Sequence, residues 1–589
     1  MQHVYGFDTE TVLRKGKHRF LSFQIADDSL KYISYNPLDF VNLRRILGLS
    51  WTKKRTKEKL VLVGFNIEFD ALVMEEALKE LGVDFIFKAR YNKSNMLYAS
   101  FYFSRHQHPD ITIIDLMNFV GRTSLDKAAR KFGYRKLPKP EFLGKRKWKT
   151  EEERKIFEEY AINDAWITYR IYKDIMDKAF TYAKPKTRRL IVSAPSLALN
   201  LFLAKHRLPQ CPKWLNYQIL QSYRGGRVEA IWRGTVSCEN FNHLALYDFN
   251  SLYPYITRTS QFPDTEGKPG FKLDLEKEGI AICTVKIEEP YLPPLGVKLR
   301  IKDNGKVAEK LVFPTGTVRG VFTISELRYL EDMGLGQVLN CTRAYCFPAM
   351  ESPFKDFIDH FYRLRRKPEF KQVAKLILNS LYGKLATRLY NVQIKRLEDI
   401  ETVEELNGYY VDWELELARK IIDSERFVGK NPLFASLITA NARLHLHKHA
   451  YELVKKGKQI FYMDTDSLLT DAVLEDSKEL GHLKKEGEYE SVTIFRSKAY
   501  ITKINGKTVR KIKGVPYSAK LFFADLELVV EGEKLVRLRE GLHRGLEPLS
   551  IQEFVKIINL DEDGKRKYHK HLDNPFSEFT DSEPIKIRC

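Results

Sequence analysis

Five short stretches concentrate carboxylates in apolar surroundings. "FDTET" carries Asp8 and Glu10, "GFNIEFD" carries Asn66 and Asp70, and "YAINDAW" carries Tyr160 and Asp164. Much later, "LYDFNSLYPYI" carries Asp248, and "YMDTDSLL" carries Asp464 and Asp466. Residues two apart in a strand project to one face, so Asp8 and Glu10 converge; Asp464 and Asp466 stand equally close in the chain. Residues four apart share a helix face, which joins Tyr160 to Asp164. Like charges at such range repel and need a counter-charge, either a Lys or Arg or a bound divalent cation. Taken singly, each stretch is an ordinary strand end or helix face. Taken together, they are oxygen ligands of the kind Mg²⁺ prefers.

The first three stretches form one set of four acids: Asp8, Glu10, Asp70 and Asp164. Such a set can hold two divalent cations, activate a water and stabilise the leaving oxygen of a phosphodiester. Tyr160 can orient that water through its hydroxyl. A cation nearby would stabilise the developing charge. Lys139 in "KPEF" is the candidate, with Lys136 and Lys145 as rivals. "TSLDKAA" offers Ser124 as a hydroxyl donor to phosphate or sugar.

The second set unites residues far apart in the chain, Asp248 with Asp464 and Asp466. Between them lies "KPEFKQVAKLILNSLYGKLA". Pro368 suits the first turn of a helix and Gly383 its end. Lys371, Lys375, Asn379 and Tyr382, spaced by four, four and three, then share one face. Val373, Leu376, Ile377 and Leu381 define the buried face. Two cations, an amide and an aromatic ring in a row suit a polyphosphate carrying a flat base. If Asp248 and Asp466 meet, two Mg²⁺ ions can neutralise them, lower the pKa of a primer 3′-hydroxyl and hold a triphosphate.

The elements that must position these groups are legible in outline. Up to about residue 130, strand-like runs ("YGFDTETV", "FLSFQIA", "KLVLVGF", "ITIIDLM") alternate with helical segments, as in an α/β domain. A helix is expected at 150–178, a boundary near 183–187, mainly helix over 188–225, and a β-rich region from 226 to about 350. Helices return at 352–388. A charged insertion occupies roughly 397–426, and a further helix runs into "YMDTDSLL". The chain has 589 residues, too many for one core. It carries 98 Lys and Arg against 77 Asp and Glu, a formal charge of +21, which suits a polyanionic partner such as nucleic acid. The six cysteines show no CxxC spacing, so neither a zinc ribbon nor a disulfide framework is expected. No apolar run is long enough to span a bilayer, and the N-terminus lacks the apolar core of a signal peptide. A soluble cytoplasmic protein, or one of host-cell cytoplasm if viral, is the expectation.

These motifs resemble those of family B DNA polymerases. "FDTE", "NIEFD" and "YAIND" resemble the three motifs of the family's 3′–5′ exonuclease. "DFNSLYP", "KLILNSLYG" and "YMDTDS" resemble its three polymerase motifs, and all six stand in family order. The compact chain, the β-rich stretch before Lys371 and the 397–426 insertion resemble the protein-primed subgroup of linear-genome phages, adenoviruses and linear plasmids. "SYRGGRV", with Tyr223, Gly225 and Gly226, resembles that subgroup's linker motif, whose glycines would let the backbone approach a phosphate. "SKAYI", with Lys498 and Tyr500, resembles its primer-contacting motif.

The resemblance implies a multidomain fold. An RNase H-like exonuclease domain (1–187) would precede a linker and the start of the palm (188–260). A first terminal-protein region with palm (261–351), fingers (352–388), a second terminal-protein region (389–432), palm (433–520) and thumb (521–589) would follow. It implies that Asp248 and Asp466 bind Mg²⁺, or Mn²⁺ in its place, with Asp464 supporting. Tyr253 would stack under the sugar of a deoxynucleoside triphosphate and exclude a 2′-hydroxyl. Lys371 and Lys375 would face the triphosphate, and Asn379 and Tyr382 the nascent base pair. Asp8, Glu10, Asp70 and Asp164 would carry the exonuclease metals, with Tyr160 and Lys139 assisting. Asn66, Phe69, Ser124, Leu125, Tyr223, Gly225, Gly226, Thr465, Lys498 and Tyr500 would contact DNA. The second insertion would encircle template and part strands. A separate terminal protein would supply the priming hydroxyl to a monomeric enzyme with no membrane partner.

Three other readings are weighed against this one. A family B polymerase using nucleic-acid primers or none fits the compact length and the two insertions less well. A catalytically silent DNA-binding scaffold has no need of clustered acids. A reverse transcriptase leaves the N-terminal acids unexplained.

Overall fold

The computed structural model describes the chain except residues 1, 50–57, 93–94, 104–107, 144–146, 188, 304–305, 387, 398–399, 401, 407–409, 413–416, 428–430, 514, 516–519, 525–526, 536–548, 561–562 and 588–589. Lys145, Cys589 and parts of the 397–426 insertion therefore lie outside the described residues, as does part of 521–589.

The four expected strands of the N-terminal unit form as read. They belong to a seven-stranded sheet in the order β3-β2-β1-β4-β7-β6-β5. These strands are β1 (Gln2–Arg14), β2 (Lys17–Ala26), β3 (Lys31–Ser34), β4 (Lys59–Gly64), β5 (Ile86–Asn92), β6 (Asn95–Tyr102) and β7 (Ile111–Asp115). β1, β4 and β7 run parallel, while β2 and β6 are antiparallel to their neighbours. That is the RNase H-like arrangement. Helix Glu68–Glu80 and the long helix Glu151–Phe180 pack against it. Thr150 caps the latter by accepting from the Glu153 N–H, and Glu151, Glu152 and Glu153 complement the positive end of its dipole. The helix approaches β1 closely because Gly6 has no Cβ, which would collide with the Ala165 carbonyl.

The second unit is built on a five-stranded antiparallel sheet. Its order is Leu483–Glu488, Ala245–Phe249, Ser467–Thr470, Ile460–Asp464 and Val228–Ala230. Helices Leu252–Thr259, Lys371–Leu385 and Pro432–Lys455 contribute to its cover. A single apolar core runs from Val61 and Ile114 through Ile171 and Leu197 to Phe249, Ile377, Phe434 and Leu468. One core therefore draws residues from both sides of the 183–187 segment. The β-rich region contributes a sheet of Gly336–Phe347, Glu278–Ile287, Thr315–Thr323 and Lys586–Ile587. The second insertion includes a three-stranded sheet, Arg388–Arg396, Leu417–Phe427 and Tyr410–Asp412. Among the described residues no helix is long and apolar enough to cross a membrane.

Two local readings need correction. The run "SLYP" after Asp248 reads as a turn, but Pro254 sits in the first turn of helix Leu252–Thr259, where its missing N–H costs nothing. Gly383 does not end its helix, which continues to Leu385.

A buried ion cluster fixes the chain's entry into the second sheet. Arg227 donates to Glu229 Oε2 from Nε at 2.7 Å and lies 2.6 Å from it through Nη2, both residues wholly buried. Arg566, from the returning C-terminal segment, lies 3.9 Å from Glu229 Oε1 and donates to the Tyr291 carbonyl. Removing the anion would leave two buried guanidiniums without it. Glu229→Leu is expected to destabilise the chain by about 3–5 kcal/mol in denaturant unfolding; a loss under about 1 kcal/mol would contradict this role.

Candidate active sites

The first site lies where β1 meets helices Glu68–Glu80 and Glu151–Phe180. Asp8 and Glu10 sit half-buried on one face of β1, while Asp70 and Asp164 are buried on the two helices. Asp70 Oδ1 accepts from the Thr9 N–H at 2.9 Å and from the Thr9 hydroxyl at 2.7 Å. Burial drives all four carboxyls up. Glu10 rises to about 8, with Asp164 adding to burial, and Asp70 to about 7 despite the Thr9 donors. Asp8 is held well above its ordinary range by burial and then by Asp70, Glu10 and Asp164. Asp164 is also raised by burial, against the pull of Lys136.

Among the described residues, Lys136 is a cation in contact with these acids. Its Nζ meets Asp164 Oδ2 and lies 3.2 Å from the Tyr160 hydroxyl. Lys139, placed first in the sequence reading, lowers Glu10 by its charge. Of the other candidates, Asn66 has a left-handed φ of 63° and donates its N–H to buried Asp115. Phe69 stands edge-on to His18, ring centres 5.2 Å apart. Ser124 caps helix Leu125–Phe132 by accepting from the Lys127 N–H, and Leu125 packs on the main core. Among the contacts described, none joins Ser124 to the four acids.

The second site lies in the five-stranded sheet. Asp248 pairs in register with Ser467, and the Phe249 N–H donates to the Asp466 carbonyl at 2.8 Å. Asp464 and Ser467 close a two-residue turn, Thr465–Asp466. Thr465 has φ 64°, an uncommon conformation for a β-branched residue. Its N–H donates to the Arg227 carbonyl at 2.6 Å. Gly226 explains how the strand can pass so near: a Cβ there would lie 2.7 Å from Thr465 Cγ2. The neighbour of Gly226 in the fold is thus the acid turn. Gly225, by contrast, faces open space.

The two acids of "YMDTDSLL" have different fates. Asp464 is in contact with Lys498 Nζ and accepts from the Thr465 hydroxyl at 3.1 Å. Lys498, at φ 66°, donates its N–H to the Tyr462 hydroxyl, and Tyr462 and Tyr500 rings lie 5.2 Å apart. Asp466 rises to about 6 through burial and then Asp464. Asp248 rises to about 7 through burial, then Asp466 and Glu486, with Lys484 and Lys375 only partly offsetting. Tyr253 and Tyr382 stack with ring centres 4.3 Å apart and planes 9° from parallel. Lys371, Lys375 and Asn379 are exposed beside the half-buried Tyr382. Although its side chain reaches solvent, partial desolvation of the ammonium lowers Lys375, with Arg365, Lys131 and Lys484 adding to the effect. Tyr223 bears on both stacked tyrosines.

The sequence reading missed Arg365. It donates from Nη1 to the Ser251 hydroxyl at 2.7 Å and from Nη2 to Asn250 Oδ1 at 3.3 Å, bracing the turn after Asp248. The basic run "YRLRRK" was the available signal, though nothing in it distinguishes Arg365 from its neighbours.

Among the described residues no three His, Cys, Asp or Glu side chains are drawn together as a ready-made metal cage. The donor chemistry nevertheless fits a hard dication. The carboxylates of both sites are hard oxygen donors, and the mutual repulsion of clustered acids is what a bound dication relieves.

With this geometry in place, likeness to known proteins is informative. Residues 134–428, 295 of 589, match the family described as DNA polymerase type B, organellar and viral. The chain belongs to this type B DNA polymerase family. A protein of Podospora anserina described as "Probable DNA polymerase" is 26% identical over 374 residues, covering 54% of this chain and 30% of that one. The DNA polymerase of Bacillus phage phi29 is 26% identical over 338 residues, covering 53% and 54%. That of Bacillus phage PZA is 26% identical over 390 residues, covering 61% and 64%. The matches thus span less than two thirds of these relatives. The phi29 DNA polymerase solved with primer-template DNA superposes with a TM-score of 0.67 at 17% identity, over 95% of this chain and 100% of that one. The type B polymerase chain therefore has the exonuclease, palm, fingers and thumb fold expected for the family.

The raised carboxyls dictate a pH response. The unfolded Asp248 loses its proton near 3.8, the folded one near 7. Between those values the unfolded state binds fewer protons, so stability falls as pH rises. Asp248→Asn removes that loss. In chelator at pH 8 the variant should be more stable than the parent by on the order of 2 kcal/mol, and equal to it below pH 4. Equal unfolding midpoints at pH 8 would refute the assignment.

Proposed function

We propose that the chain is a DNA-directed DNA polymerase with a 3′–5′ exonuclease, replicating a linear genome in the cytoplasm from a protein primer. The observation that carries the reading is the meeting of Asp248 and Asp466 on one sheet, beside a helix that presents Lys371, Lys375, Asn379 and Tyr382. Asp248 and Asp466 would hold Mg²⁺, with Mn²⁺ as substitute, and Asp464 with its Lys498 would support them. Bound there, the ions supply Lewis acidity toward the primer hydroxyl and the triphosphate. Lys371 and Lys375 attract the triphosphate as point charges. The stacked Tyr253–Tyr382 pair offers a flat wall against sugar and base, and Tyr253 excludes a 2′-hydroxyl. Lys498 and Tyr500 flank the primer end, while Tyr223, Gly225, Gly226 and Thr465 line its approach.

At the N-terminal site Asp8, Glu10, Asp70 and Asp164 would hold the second set of ions. Tyr160 orients a water, and Lys136 or Lys139 meets the developing negative charge. Asn66, Phe69, Ser124 and Leu125 receive the single strand. The sheet of the second insertion and the β-rich region would embrace template and terminal protein, which would give processivity and strand displacement. Support comes from family membership, the shared fold and the +21 charge.

Asp466→Ala should abolish deoxynucleotide addition to a primed template and leave degradation of a single strand intact. Asp8→Ala with Glu10→Ala should do the reverse. Loss of both reactions in either variant would argue against two sites. Protein priming has its own test, incubation with a labelled deoxynucleotide, Mg²⁺ and the proteins encoded beside this gene. A covalent nucleotide–protein adduct is the expected product; extension of nucleic-acid primers without any adduct would assign the chain to the nucleic-acid-primed reading.

A further inference from the structure

Strand β2 buries two polar side chains with its apolar ones. Leu21, Phe23 and Ile25 alternate with Ser22 and Gln24, and Ser22 and Gln24 are wholly buried. In the antiparallel register Gln24 stands opposite Asp8, and Ser22 opposite Glu10. Residues directly opposite one another project to the same face. The amide of Gln24 uses this position: its Nε2 donates to Asp8 Oδ2 at 3.1 Å. The Ser22 hydroxyl donates to Gln24 Oε1 at 3.4 Å. That second bond orients the amide, so its N–H₂ end faces the carboxylate. Thr9 serves Asp70 in the same way from within β1.

We infer that Gln24 is a positioning residue of the N-terminal site, holding the Asp8 carboxylate in the orientation in which it receives a divalent cation. The inference rests on the nuclease reading of that site. A carboxylate surrounded by other carboxylates rotates away from them unless a donor holds it. Gln24 ties down one oxygen and leaves the other for a ligand. Partners of this kind around metal-binding carboxylates change metal affinity by about 10- to 100-fold when removed. Because Gln24 is wholly buried on the strand beside Asp8, it acts through Asp8 and does not itself reach substrate.

Gln24→Met keeps the length and removes the donor. Mn²⁺ binding is followed by electron paramagnetic resonance in an Asp248→Asn background, so that the N-terminal site is counted. Single-strand degradation is measured across a Mg²⁺ series in the otherwise native chain. The expected result is a 10- to 100-fold weaker Mn²⁺ affinity, a matching rise in the Mg²⁺ needed for half-maximal degradation, and unchanged nucleotide addition. Native Mn²⁺ affinity and native degradation would overturn the inference. So would equal loss of degradation and nucleotide addition with a lowered unfolding midpoint, since that marks a packing role. Asp8→Asn separates the two levels: if it too leaves degradation intact, the nuclease reading fails, whereas loss with Asp8→Asn and none with Gln24→Met removes only the role of Gln24.

Discussion

The second site depends on one strand pairing. Ala245–Phe249 lies against Ser467–Thr470, which sets Asp248 beside the Thr465–Asp466 turn. Nothing local to either segment holds the two carboxylates together, and their mutual charge drives them apart. The pairing endures because hydrogen bonds in register and the apolar residues around them, Tyr247, Phe249, Met463 and Leu468, are buried in the main core. The electrostatic cost remains in the raised Asp248 and Asp466. A stable fold thus holds a locally unfavourable charge arrangement that a cation relieves, the usual mark of a functional rather than a structural acid pair.

Around that pair the supporting groups divide the work by charge. Lys498 holds Asp464, so one of the three acids is neutralised by the protein itself. Arg365 braces the turn after Asp248 through Ser251 and Asn250. Lys371 and Lys375 remain exposed on their helix. Arg443 adds a hidden brace: it donates from Nη1 to the carbonyls of Arg224 and Gly225, and from Nη2 to Glu326 at 2.7 Å, all nearly or wholly out of solvent except at Gly225. Through it the 224–227 segment is fixed against Thr465 from behind.

The acids were legible because strand and helix periods place them. "FDTE" needs only the two-residue strand repeat to bring Asp8 and Glu10 together, and "YAIND" only the helical repeat for Tyr160 and Asp164. The face of Lys371, Lys375, Asn379 and Tyr382 was equally visible in its spacing. Contacts set by tertiary approach were not. Lys136 and Lys139 lie three apart in a segment without regular structure, so no period tells which reaches Asp164. Gly226 reads as room for a phosphate, and its packing against Thr465, distant in sequence, has no local signal. Pro254 reads as a turn former because its helix is only eight residues long and opens from a left-handed Ser251.

The two sites also share more than a chain. The core that buries the sheet of Asp248 includes Val61 and Ile114 from the N-terminal strands and Ile171 and Ile175 from the helix that carries Asp164. Lys131, on helix Leu125–Phe132 of the N-terminal unit, acts on Lys375 strongly enough to help lower it. A polyanion seated at Lys375 therefore feels a cation from the other unit. Shared packing of this extent makes relative movement of the units costly, since it would expose apolar surface to water. The two carboxylate sites are thus held in one continuously packed body rather than on units joined only by a linker.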